Sequence, residues 1–205
     1  MIHVIGDSHS QSFGGYPGFT VHCIGSATAH NLMKDNSATQ SRQKIITLMS
    51  IIPKNAVTLF VLGEIDCRIH IYQKYMENNE ATPIEKLIST TVERYIGFLK
   101  QFKEHRRTTS TIPPAGYQGN IYSYPFYASP KIRGYINKTY NELLREECSR
   151  VNISCIDIYD KVVGEDGLAK QEYLRDQVHF NHKAIALIVE ELKRQKLMEE
   201  ENNGR

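Results

Sequence analysis

Apolar residues along this chain follow two rhythms that take turns. Short apolar or alternating runs predict strands near residues 2–6, 18–24, 56–62, 107–112 and 153–158. The run from Ala56 to Leu62 is nearly continuous, as expected of a central strand covered on both faces. Between these runs apolar residues recur at helical spacing. Residues 38–52 carry Ile45, Ile46, Leu48, Met49 and Ile52, and Pro53-Lys54-Asn55 ends the segment. Ile84, Leu87, Ile88, Val92, Tyr95, Ile96, Leu99 and Phe102 form one stripe. Thr82 is its expected N-cap, with Pro83 in the first turn and Glu85 three residues after the cap. A helix starting at Ser129-Pro130 is expected to turn Ile132, Tyr135, Ile136, Tyr140, Leu143 and Leu144 inward, and a last helix runs from Asn181 to about Met198. Residues 70–81 read as loop or irregular helix, 160–178 as mostly loop, and the Gly-, Tyr- and Pro-rich stretch 115–128 as a surface insertion.

Strands that alternate with helices predict an α/β fold. The expectation is a three-layer, flavodoxin-like sandwich: a five-stranded parallel sheet of order 2-1-3-4-5 with helices on both faces. Residues 1–198 are expected to form a single domain and 199–205 a polar tail.

Composition narrows the partners. Of 205 residues, 40% are hydrophobic and 23% charged, which excludes wholesale disorder. Lysine and arginine total 25 against 23 acids, a net charge of +2, so there is no electrostatic case for nucleic acid. No apolar run approaches the roughly 20 residues of a membrane helix. Cys23, Cys67, Cys148 and Cys155 show no C-x-x-C spacing, which gives no case for a zinc or dithiol site. The N-terminal residues carry neither a basic region nor a long apolar one, so a cytoplasmic protein with reduced thiols is expected. No cofactor and no metal are expected.

Ligands in such sheets bind beyond the carboxyl ends of the strands, so those ends are where chemistry is sought. The first strand ends at Gly6-Asp7-Ser8-His9-Ser10, the second at Gly25, and the third at Gly63-Glu64-Ile65-Asp66-Cys67-Arg68. The loop before the last helix holds Asp176-Gln177-Val178-His179. Asp and His three residues apart can share one turn, so that the carboxylate holds the imidazole and the other ring nitrogen serves as a base. Ser8, on a tight strand-to-helix turn, is the matching nucleophile.

This set of blocks resembles the SGNH hydrolases, also called GDSL-type esterases and lipases. Gly6-Asp7-Ser8 matches the family's first block, Gly25 its second, and Asp176 with His179 its last. The resemblance spans nearly the whole chain. It implies Ser8 as nucleophile, His179 as base and Asp176 as its orienter, with the N–H groups of Ser8 and Gly25 in the oxyanion hole. The third block, Gly-x-Asn-Asp in the family, is matched incompletely: Ile65 stands where the family has an asparagine that donates to the oxyanion. Losing one such donor typically costs about 10²–10³ in rate. Arg68, its guanidinium held by Glu64 or Asp66, is the expected substitute, ahead of His9 and His70; Asp66 is expected to brace its turn.

The resulting expectation is a serine esterase that removes a small acyl group, such as an O-acetyl, from a carbohydrate or another small ester. An O-acyltransferase would use the same triad, and the divergence at Ile65 keeps open a non-catalytic binding module of the same fold. Asp7-Ser8-His9 also fits the D-x-H start of metal-dependent phosphoesterases, but their G-D-x-x-D and G-N-H blocks are missing. Tyr117, Tyr122, Tyr124 and Tyr127 suggest either loop packing or a sugar-stacking surface.

Overall fold

The structure is a computed structural model that describes residues 1–117 and 128–199. Five parallel strands form one sheet in the order β2-β1-β3-β4-β5. They are β1 (Ile2–Gly6), β2 (Phe19–Cys23), β3 (Val57–Val61), β4 (Arg106–Ser110) and β5 (Ser154–Ile156). The fold class is therefore as the patterning predicts. The central position of β3 explains its continuous apolar run, since both of its faces are buried.

Alternation along the strands feeds two cores. Ile5, Phe60 and Leu62 pack on one face against α1 (Ser41–Ile51), α3 (Ile84–Leu99) and α4 (Pro130–Arg150). Ile2, Val4, Val57 and Leu59 pack on the other against α5 (Tyr159–Val162) and α6 (His182–Arg194). A turn of π-helix, Asp66–His70, follows β3 and runs into α2 (Ile71–Glu77). This helix occupies the stretch read as loop or irregular helix. Its one buried side chain is Ile71, which is why no apolar stripe announces it.

Two local expectations need correction. The N-cap of α3 is Pro83, with no side-chain cap, rather than Thr82. Tyr135 faces outward and bonds Glu85, because the buried stripe of α4 is rotated relative to the apolar residues. Arg133, Asn137 and Asn141 are buried on that stripe. Asn141 pairs with both N–H and C=O of Ile112, Asn137 donates to the Pro113 carbonyl, and Arg133 donates to the Ala128 and Gly116 carbonyls. The chain has left the sheet after β4 and needs polar partners there, so buried side-chain amides replace the missing ladder.

Of the tyrosines considered for stacking, Tyr122, Tyr124 and Tyr127 lie outside the described residues, as does the tail beyond Glu199. Tyr117 is exposed and donates to Asp166. Among the described residues no helix is long and apolar enough to cross a membrane.

Candidate active site

The carboxyl ends of β1, β2 and β3 converge with the loop before α6. After Gly6 the chain turns at once into a 3₁₀ turn, Ser8–Phe13, capped by Asp7, whose Oδ1 accepts the His9 N–H at 2.9 Å. The turn leaves Ser8 half-buried at the mouth of the crevice. On the facing loop, Asp176 Oδ1 accepts the N–H groups of Val178 (2.8 Å) and His179 (2.7 Å). That closes a tight turn and brings His179 Nδ1 to 2.9 Å from Asp176 Oδ2. His179 Nε2 lies 2.8 Å from Ser8 Oγ.

The donor roles follow from chemistry. An ionised carboxylate only accepts, so Nδ1 of His179 carries the hydrogen and Nε2 of the neutral ring accepts from the serine hydroxyl. Burial pulls the His179 pKa below its ordinary value, and the nearby His9 pulls it the same way, while Asp176 opposes both. Burial works to raise Asp176, but the His179 and Val178 N–H groups and the His179 ring outweigh it and hold the carboxyl below its ordinary range. At neutral pH the chain is therefore carboxylate, neutral imidazole and hydroxyl.

Gly25 is exposed at the turn after β2 with φ of +86°, a conformation that favours glycine. Gly63, after β3, has φ of +113°, and a Cβ there would meet the Tyr140 hydroxyl at 2.3 Å. The third block can therefore turn only with glycine at its start. Ile65 is half-buried in helical backbone geometry and carries no polar group. Asp66 braces its turn: Oδ2 accepts the Ala29 N–H at 2.7 Å and Oδ1 the His30 N–H at 3.2 Å, fixing the loop that leads from Gly25. Burial lifts the Asp66 pKa to about 7 despite those two bonds.

Arg68 is buried, and its Nε donates to Glu64 Oε1 at 2.7 Å. Glu64 Oε2 accepts from His9 Nε2 at 3.1 Å. Burial works to raise Glu64, but Arg68 and His9 overcome it and hold the carboxyl at about 2. Glu64, Arg68 and Arg133 line a cavity together with Gln177 and Val178, the two residues before His179. His70, the last residue of the π-turn, is half-buried. Glu64 is thus the residue that holds Arg68, and its pairing with His9 is the feature that sequence patterning misses. The available signal is a charged residue in each of two segments that otherwise end core strands.

Comparison with known proteins places the chain. No curated protein sequence matches it. Solved structures share the fold over nearly the whole chain, three of them as follows. A GDSL-like lipase from Bacteroides thetaiotaomicron is 16% identical, with 96% of this chain and 86% of that one covered and a TM-score of 0.64. A carbohydrate acetylesterase from Sinorhizobium meliloti is 11% identical, covering 96% and 99% with a TM-score of 0.61. A single-residue variant of an acetyl-xylooligosaccharide esterase from Geobacillus is 13% identical, covering 100% and 96% with a TM-score of 0.61. At such identities these structures establish the fold alone. The family model described as GDSL-like lipase/acylhydrolase matches residues 2–192, and the chain belongs to that family.

Proposed function

We propose that the protein is a serine esterase that releases a small acyl group, such as acetyl, from a carbohydrate or similar polar ester. The observation that carries this reading is the continuous hydrogen-bonded chain from Ser8 through His179 to Asp176, at 2.8 and 2.9 Å. Carbohydrate acetylesterases among the structural neighbours support the substrate class.

Ser8 Oγ attacks the ester carbonyl while His179 Nε2 takes its proton, and Asp176 stabilises the imidazolium that forms. The imidazolium returns the proton to the leaving alkoxide, leaving an acyl group on Ser8. Water, activated by the same histidine, then releases the acid. The developing oxyanion is assigned to the N–H groups of Ser8 and Gly25. Arg68, expected as a third donor held by Glu64 or Asp66, is held by Glu64 through Nε, and we give it in addition the role of anchoring that carboxylate.

A fluorophosphonate probe tests the proposal without knowledge of the substrate. Labelling of the wild type that disappears in Ser8→Ala and His179→Ala is the expected result. A protein that resists labelling over the whole range of stable pH defeats it.

A further inference from the structure

Beneath the candidate triad lies a second histidine–carboxylate pair that the proposed chemistry does not use. The His9 ring packs against the His179 ring with centroids 4.6 Å apart, tilted by 35°. Its Nε2 donates to Glu64, and Glu64 is held from the far side by Arg68 at 2.7 Å. Glu64, Arg68 and His9 are each at most 6% exposed. Asp7, fully buried, meets His9 through its own carboxylate and the His9 N–H.

The charges in contact with His9 favour its cation. Two carboxylates, Asp7 and Glu64, are buried with the guanidinium of Arg68, and Arg133 faces Glu64 from α4. Burial lifts Asp7 to about 6, so in mildly acidic solution Glu64 is the lasting anion beside the ring. A buried charge without a counter-charge is strongly unfavourable, and His9, bonded through Nε2 to Glu64 and through its N–H to Asp7, is the titratable group in direct contact with both carboxylates. Burial works against that charge, but Asp7 and Glu64 outweigh it and raise the His9 pKa above its ordinary value. On its other side His9 borders a cavity it shares with Phe13, Val61, Phe180 and Ile185, none of which carries charge. His179 itself is faced by Asp176, by His9 and more distantly by Glu64. Arg175 approaches Asp176 at 3.6 Å, and Arg133 faces Glu64 from α4.

We propose that His9 is a positioning residue for the reaction: clamped by Glu64 and Arg68, its cationic ring fixes both the place of His179 and its charge state. A fixed positive charge beneath His179 opposes a second one on the ring above. His179 therefore stays a free base in mildly acidic solution, and the enzyme keeps working there. The same charge weakens His179 as a base, so the device trades some rate on the alkaline plateau for activity at lower pH. The inference rests on the reading of His179 as the base for Ser8.

The test combines NMR with kinetics. In a histidine-selective NMR titration of the wild type, His9 is expected to remain protonated at pH values where His179 is already neutral. In His9→Phe, which keeps a ring, and in Glu64→Gln, which removes the anion that holds the charge, the His179 titration is expected to move to higher pH. The acid limb of kcat/KM should move with it, so that the ratio of the rate near pH 5.5 to that near pH 8 falls several-fold, with KM nearly unchanged. A purely structural role would lower the rate equally at all pH values. The proposal is overturned if His9 titrates below His179 in the wild type, or if the His179 titration stays in place in a folded His9→Phe or Glu64→Gln protein. The titration needs no turnover. A protein that fails probe labelling but shows the shifted titrations therefore refutes the esterase reading alone.

Discussion

Two histidine–carboxylate pairs stand ring against ring in this molecule and behave in opposite ways. His179–Asp176 spans 2.9 Å at the mouth of the crevice, and His9–Glu64 spans 3.1 Å beneath it. In the outer pair the histidine is pulled below its ordinary pKa; in the inner pair it is raised. The nearest carboxylate is therefore not what decides. The inner histidine touches two carboxylates, Asp7 and Glu64, whereas the outer one touches Asp176, sees Glu64 only at greater distance and lies against the inner ring. A pair becomes a proton shuttle or a fixed ion pair according to the charges around it.

The largest effects should come from breaking the outer pair's link to Ser8. Ser8→Ala and His179→Ala are each expected to lower kcat by up to about 10⁶-fold, and the double variant by little more, because the two groups act as one unit. Asp176→Asn should cost less, about 10⁴-fold, since the ring loses its orienting anion but keeps its place. Steady-state rates on a small acetyl ester measure all of these. Equal losses in kcat and kcat/KM are expected, and near-additive losses in the double variant would dissolve the unit.

Breaking the inner pair should show chiefly in stability. Arg68→Ala leaves a buried carboxylate short of its main cation, a change that typically costs about 3–5 kcal/mol. Urea unfolding at neutral pH measures it. The pH dependence sharpens the result. Glu64 falls from 4.5 in the unfolded chain to about 2 in the fold, so its ionic stabilisation is complete above pH 4.5 and is lost as pH falls toward 2. The gap between wild type and Arg68→Ala should close over that same window. Asp66 runs the other way. With a folded pKa of about 7 against 3.8, its contribution weakens as pH rises between those values, and Asp66→Asn should flatten that part of the stability curve.

The outer pair was legible in the sequence and the inner one was not, for a physical reason. Asp176 and His179 close a turn by local hydrogen bonds, so their spacing carries the geometry. His9 and Glu64 are 55 residues apart and meet only because β1 and β3 lie side by side in the sheet. Neither belongs to a periodic segment that would mark it as buried. The sheet order was legible because the chemistry-bearing ends of the first and third strands must flank a shared crevice. The face of α4 was misjudged at Tyr135 because polar residues, Arg133, Asn137 and Asn141, occupy the inner stripe.

The smallest expected effect concerns the flank of the crevice where the two pairs give no help. On the proposed reading the proton path from Ser8 to Asp176 is complete, but the oxyanion is assigned to backbone N–H groups, since Ile65 offers no donor. Ile65→Asn places an amide at the start of the braced turn, where Asp66 already fixes the neighbouring backbone. A donor that was not packed for its task sits loosely, and a looseness of about 1 Å forfeits most of its value. The gain in kcat should therefore stay below about tenfold, well short of the 10²–10³ that a preorganised donor supplies. The informative comparison is the same substitution in an Arg68→Ala background. If Arg68 stabilises the oxyanion directly, the new amide replaces it and restores kcat. If Arg68 acts by holding Glu64 and, through it, His9, the amide restores nothing, and the acid limb of the pH profile stays displaced toward higher pH. Glu64 bridges Arg68 and His9 through its two oxygens, at 2.7 and 3.1 Å, and that link favours the second outcome.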